Sequence, residues 1–236
     1  MRVLHHYYLS PSSRLIRLFL SEKKLDFLPK LELFWKRDKE LLRLNPSGEV
    51  PIIVENDNII LAGSRVIIEY YEEVETEVIL IPGMPKEKAE VRRLLDWFEF
   101  KFNKEVSNPL IENKIIKSFM SNSQPSSDII RNSLTNFKIH LSYLEWLTEK
   151  RKWLAGNNIS VADLSAAAHL SVLDYMGYID WVDFKETKIF HFSNLESCTW
   201  YDFAVKICKI SKLEVKLNPV SSDFFNLKAN RPQFSV

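Results

Sequence analysis

Asn45-Pro46-Ser47-Gly48-Glu49-Val50-Pro51 is the stretch on which the fold reading turns. A turn-rich tetrapeptide runs into a proline that opens an apolar run, Pro51-Ile52-Ile53-Val54. Proline cannot donate to a strand ladder, so it is confined to a first or edge position, often in the cis form at a tight turn. The polar turn Glu55-Asn56-Asp57 separates this run from Asn58-Ile59-Ile60-Leu61, and the pair reads as a β-hairpin.

Working outward toward the N-terminus, Lys36 to Leu44 reads as a short charged helix and Asp26 to Phe34 as a strand. Val3-Leu4-His5-His6-Tyr7-Tyr8 is a further strand, rich in β-branched and aromatic residues. Between these strands, Ser10-Pro11 starts a helix, with a hydroxyl at the N-cap and proline at the first helical position. Leu15, Ile16, Phe19 and Leu20 give that helix one apolar face. On the other side of the hairpin, Ser64 caps a helix carrying Val66, Ile67 and Tyr70. The expected order is βαβαββα, a mixed sheet within residues 1–80.

Pro82-Gly83-Met84-Pro85 reads as a linker, and an all-helical bundle is expected over 86–236. Val91, Leu94, Leu95, Phe98 and Phe102 recur at helical spacing across 86–103. Ile130, Leu134, Phe137, Leu141 and Leu144 repeat the pattern in a second long helix, beyond a polar loop from Ser121 to Ser127. Trp153-Leu154-Ala155-Gly156 closes one helix, and Ser160-Val161-Ala162-Asp163 opens another through a capping box with Asp in place of Glu. His169 and Asp174 on that alanine-rich helix read as partners in internal hydrogen bonds.

Composition narrows the function classes. The 236 residues carry 32 basic and 31 acidic side chains, a formal net charge of +1, which gives no general attraction to nucleic acid or anionic lipid. Cys198 and Cys208 match no zinc or redox spacing, so no metal site is expected. No signal peptide is evident, and no run approaches the ~20 apolar residues that span a bilayer. A soluble cytoplasmic protein without membrane insertion is the expectation.

The βαβαββα order, Asn45-Pro46-x-Gly48-x-Val50-Pro51, Gly63-Ser64-Arg65, and Trp153-Leu154-Ala155-Gly156 with Ser160-x-x-Asp163 together resemble the glutathione transferase superfamily over roughly residues 1–188. The resemblance implies a thioredoxin-like N-terminal domain followed by a helical domain. It places glutathione against the backbone at Val50-Pro51 and against Ser64, as a weak ligand or cosubstrate. It also places a thiol-activating hydroxyl at Ser10, with Ser12 and Ser13 as weaker alternatives. A hydroxyl donor at the positive end of a helix favours thiolate over thiol; Ser10 also reads simply as an N-cap. The superfamily carries an acidic residue or glutamine before the serine, and this chain has Gly63.

Within the superfamily, Arg92-Arg93-Leu94-Leu95-Asp96-Trp97-Phe98-Glu99-Phe100-Lys101-Phe102 and the stretch from Ala162 to Gly177 resemble the FzlA family of FtsZ-binding division factors. That resemblance implies a homodimer that binds FtsZ filaments and regulates constriction, without strong transferase activity. The contact positions it implies are Trp35, Lys114 and Lys117. Trp35 beside Lys36-Arg37-Asp38-Lys39 has the character of an interface anchor, or of a cover for the sheet edge. The 189–236 tail departs from that family's proline-rich, acidic and aromatic ending. The alternative function is a glutathione transferase acting on an electrophile.

Overall fold

In a computed structural model, residues 1–56, 59–116 and 125–179 are described, all within one compact unit, Met1–Lys188. Lys117 and the 189–236 tail, with Cys198 and Cys208, lie outside the described residues.

The N-terminal elements follow the expected order. β1 (Val3–His6), α1 (Pro11–Glu22), β2 (Leu28–Leu31), α2 (Lys39–Leu44), β3 (Ile52–Val54), β4 (Ile60–Ala62) and α3 (Ser64–Val74) build a four-stranded sheet in the order β2-β1-β3-β4. β1 and β2 run parallel, with Val3 opposite Leu28. β1–β3 and β3–β4 are antiparallel, with His5 opposite Ile52 and Ile52 opposite Ala62. The second strand is shorter than the expected Asp26 to Phe34. Its chain leaves the sheet after Leu31, and Phe34–Lys36 wind into a 3₁₀ turn closed by Arg37 in the left-handed region.

Leu15, Ile16, Phe19 and Leu20 are buried on α1, as their spacing predicts. On α3 the buried face is one step away from the expected one: Ile67, Ile68 and Tyr71 point inward, while Val66 is 53% exposed. Ser64 occupies the first helical position and Gly63 the cap, where φ +92° and ψ 143° suit only glycine.

The helical part begins with α4 (Pro85–Asp96), opened by Pro85 as the linker reading implies. The chain does not stop near residue 103. It continues with π-type turns over Trp97–Ser107, where the Asn108 N–H reaches back five residues to the Asn103 carbonyl. A short α5 (Asn108–Ile111) and a second π-type stretch (Glu112–Ile116) follow. α6 (Ser127–Lys150) and α7 (Val161–Tyr175) complete the described helices. At the start of α7, the Ser160 N–H and hydroxyl both donate to Asp163 Oδ2, at 2.9 and 2.8 Å, and the Asp163 N–H donates to the Ser160 carbonyl. Asp163 Oδ1 also accepts from Leu154 N–H at 2.8 Å, tying the Trp153–Gly156 turn to the helix start.

One apolar core unites the two parts: Leu4, Phe19, Ile53 and Tyr71 pack in the same cluster as Val91, Leu95, Val161 and Ala168. A buried ion pair fastens the linker. Lys23 Nζ lies 2.8 Å from Glu72 Oε1 and donates to the Glu75 and Val78 carbonyls, while Glu72 Oε2 accepts from Ile81 N–H at 2.9 Å.

Candidate functional site

The sheet register gathers three of the sequence candidates at one end. Ile52 lies opposite His5, so the cis Val50–Pro51 bond falls beside the end of β1, where the chain turns toward Ser10. Gly63 N–H donates to the Pro51 carbonyl at 3.0 Å, which sets the start of α3 beside the same proline. Ser10, Val50-Pro51 and Ser64 therefore share one sheet end.

Their chemistry differs. Ser10 is half-buried at the N-cap of α1, and its Oγ accepts from Ser13 N–H at 3.2 Å. An accepting oxygen keeps its own proton available, so the cap and donor roles are compatible. Ser13 is fully buried, and its hydroxyl accepts from Tyr7 N–H at 3.3 Å. Ser12 is half-buried and is one of the groups that hold the Glu99 carboxyl down.

Glu99 is the residue that sequence reading missed as a site group. It sits at 8% exposure on the π-type segment after α4. Its Oε2 accepts from Ser64 Oγ at 2.6 Å and its Oε1 from Ser165 Oγ at 2.9 Å. His169 Nε2 is 3.3 Å from Oε1, and His169 Nδ1 is 2.7 Å from Ser107 Oγ. Burial pushes the Glu99 carboxyl up, but the His169 contact and the Ser64 and Ser12 hydroxyls outweigh it and hold the group below its ordinary value. One carboxylate thus joins α3 of the first part to the π-type segment and α7 of the second. The expected internal role for His169 matches this arrangement. The only signal in the sequence was an acid flanked by Phe98 and Phe100, next to the apolar face.

Trp35 stands in the 3₁₀ turn beyond β2, half-buried, with its ring edge-to-face on Tyr7 at 4.9 Å. Tyr7 follows β1 directly, so Trp35 borders the Ser10 end of the sheet. Lys36 to Lys39 are exposed beside it. Lys114 is exposed at its stem, while Nζ donates to the Met176 carbonyl at 2.7 Å and lies 4.7 Å from the Tyr178 ring centroid. It thereby caps the carbonyl end of α7. Among the described residues, no cluster of His, Cys, Asp or Glu could hold a metal ion, and no helix is long and apolar enough to cross a membrane.

A mixed sheet with a cis proline beside a helix N-terminus, packed on helices, defines the glutathione transferase fold. The family described as "Glutathione S-transferase, N-terminal domain" matches residues 9–74. A second description, "RmlD substrate binding domain", matches residues 162–236, which begin inside α7 and lie largely outside the described residues. The structure of a glutathione S-transferase from Rhodospirillum rubrum F11 superposes with a TM-score of 0.77 at 44% identity, covering 80% of this chain and 85% of that one. FzlA from C. crescentus superposes at 0.76 with 43% identity over 79% and 84%. In sequence, FtsZ-localized protein A of Caulobacter vibrioides is 41% identical over 203 residues, 85% of each chain. The chain belongs to the family of FtsZ-localized protein A, within the glutathione transferase superfamily.

Proposed function

We propose that this protein is a cytoplasmic homodimer that binds FtsZ filaments and helps regulate bacterial cell division, without strong transferase activity. The observation that carries this reading is the 41% identity to FtsZ-localized protein A, sustained over 85% of both chains. Trp35, Lys114 and Lys117 are the proposed filament contacts. The half-buried Trp35 ring supplies an anchor with a preset orientation, and the exposed basic run behind it suits an acidic surface. Dimerisation finds support in two exposed apolar side chains, Val66 at 53% and Phe100 at 59%, the Phe100 ring centroid lying 5.8 Å from the Arg65 guanidinium.

A second reading, a glutathione transferase acting on an electrophile, is favoured by the cis Val50–Pro51 bond beside the Ser10 helix start. Glutathione would then lie along the Val50-Pro51 backbone toward Ser64. Against strong binding stand Gly63, which offers no acidic side chain, and a Ser64 hydroxyl already donated to Glu99.

Sedimentation with polymerised FtsZ, run beside a conjugation assay with a generic electrophile, separates the two. Co-sedimentation with negligible turnover is the expected result. Robust turnover that disappears in Ser10→Ala, with no co-sedimentation, reverses the ranking.

A further inference from the structure

The contacts of Glu99 follow the pattern of a bound carboxylate ligand. The Ser64 hydroxyl stands at the first position of α3 and directs its proton to Glu99 Oε2 at 2.6 Å, so its oxygen is left only as an acceptor. On the other side, Ser165 Oγ and His169 Nε2 hold Oε1 at 2.9 and 3.3 Å, and Ser107 fixes the far nitrogen of the imidazole. Glu99 is clamped from both parts of the fold and cannot swing aside without leaving several buried donors unmatched.

We propose that Glu99 is a built-in counter-anion occupying the carboxylate seat at the start of α3, which makes this end of the sheet refuse ligands anchored there by an anionic group, glutathione included. This rests on the second functional reading, in which glutathione lies at the sheet end that carries Ser10, Pro51 and Ser64. The first-turn N–H groups of α3 attract an anion, and Gly63 adds no side chain to cap them. An incoming carboxylate that reached them would approach a charge already seated on Ser64. Two carboxylates in a poorly hydrated site repel one another strongly, because little water intervenes to screen them. It would also find the Ser64 proton taken. Nor can Glu99 readily serve a ligand ammonium in place of the side chain missing at Gly63, since the residue is buried and its orientation is held by the Ser64 and Ser165 hydroxyls.

The test is calorimetric titration of glutathione into the full-length chain, its Glu99→Gln variant and the Glu99→Gln/Ser64→Ala double variant, each checked for folding by thermal melting. Glutamine keeps the shape and removes the charge. The expected result is millimolar or absent binding to the wild type, a gain of about tenfold or more in Glu99→Gln, and loss of that gain in the double variant. Binding by Glu99→Gln no tighter than wild type overturns the proposal. So does micromolar wild-type binding that Glu99→Gln weakens, which would make Glu99 the receiver of the ligand ammonium. If Glu99→Gln does not fold, the wild-type chain still decides. A glutathione analogue with a carboxamide replacing the γ-glutamyl α-carboxylate should bind it about tenfold tighter than glutathione does, and equal or weaker binding overturns the proposal. FtsZ co-sedimentation is scored separately on the wild type, so a failure there removes the filament reading without touching this result.

Discussion

Ser10 and Ser64 sit at the starts of two helices on the same end of one sheet, and they use their hydroxyls in opposite ways. Ser10 is half-buried and accepts from the Ser13 N–H, as an N-cap does, which leaves its proton uncommitted. Ser64 is buried and donates to Glu99, in a network that continues through Ser165 and His169 to Ser107. The backbone frame around both is that of a transferase: the cis proline, the parallel β1–β2 pair and the Gly63 bond to Pro51 are all present. A fold can therefore keep its backbone frame while side chains along it are turned to holding its own parts together.

The most severe way to break this contrast is Glu99→Ala. The variant leaves the Ser64 and Ser165 hydroxyls and His169 without their shared acceptor and opens a space among buried groups. Removing one partner from a buried, hydrogen-bonded charge cluster costs about 3–5 kcal/mol, to be read as a drop in the urea midpoint with an unchanged slope. A loss under about 1 kcal/mol, the range of an exposed pair, would place Glu99 in solvent and dissolve the distinction between the two serines.

Ser10→Ala probes the other serine and should cost less. It removes a side-chain acceptor from the first turn of α1, a change of about 1 kcal/mol for a helix N-cap. The same denaturation measurement checks it. A cost matching that of Glu99→Ala would mean that Ser10 belongs to the buried network as well.

The sequence made the sheet end legible and left the seam between the two parts obscure, for physical reasons. Pro51, the Ser10-Pro11 helix start and the Ser160–Asp163 capping box are local signals, each set by backbone chemistry within a few residues. Those features stand where their spacing implied. The α3 face was displaced by a step because Val66, Ile67, Ile68, Tyr70 and Tyr71 form a nearly continuous apolar stretch, and periodicity alone does not choose among its faces. The β2 end was overextended because Glu32 to Phe34 alternate like a strand, yet the 3₁₀ turn takes Phe34 and Trp35 onto Tyr7. Glu99 was hidden by a change of helical winding. Between Trp97 and Ser107 the hydrogen bonds shift to π-type turns, so a 3.6-residue wheel misplaces the residues there. The partners that make its burial tolerable, Ser64 and Ser165, lie 35 and 66 residues away in the chain.

A second acid, Glu90 on α4, sharpens the comparison at its weak end. Its Oε2 lies 2.7 Å from Arg93 Nε, and its Oε1 accepts from Arg151 Nη1 at 2.7 Å, in a cluster that solvent still reaches. Hydrogen bonding to Arg93, outweighing partial burial and reinforced by Arg151, holds this carboxyl down to about 2 from its ordinary 4.5. A folded-state value below the unfolded one contributes stability that is fully present above about pH 4.5 and lost as the pH falls toward 2. Solvent screening reduces what the cluster is worth, so Glu90→Gln should cost about 0.5–1 kcal/mol at neutral pH. That difference from wild type should shrink as the pH is lowered through this window and weaken in high salt. Urea titrations of the two proteins across pH 2 to 7 measure it directly. A gap that persists at the acid end would show that Glu90 acts through packing rather than charge. Salt separates the two acids in the same way: the Glu90 gap should narrow as counter-ions reach it, whereas the deficit of Glu99→Ala should persist, because counter-ions do not enter the seam.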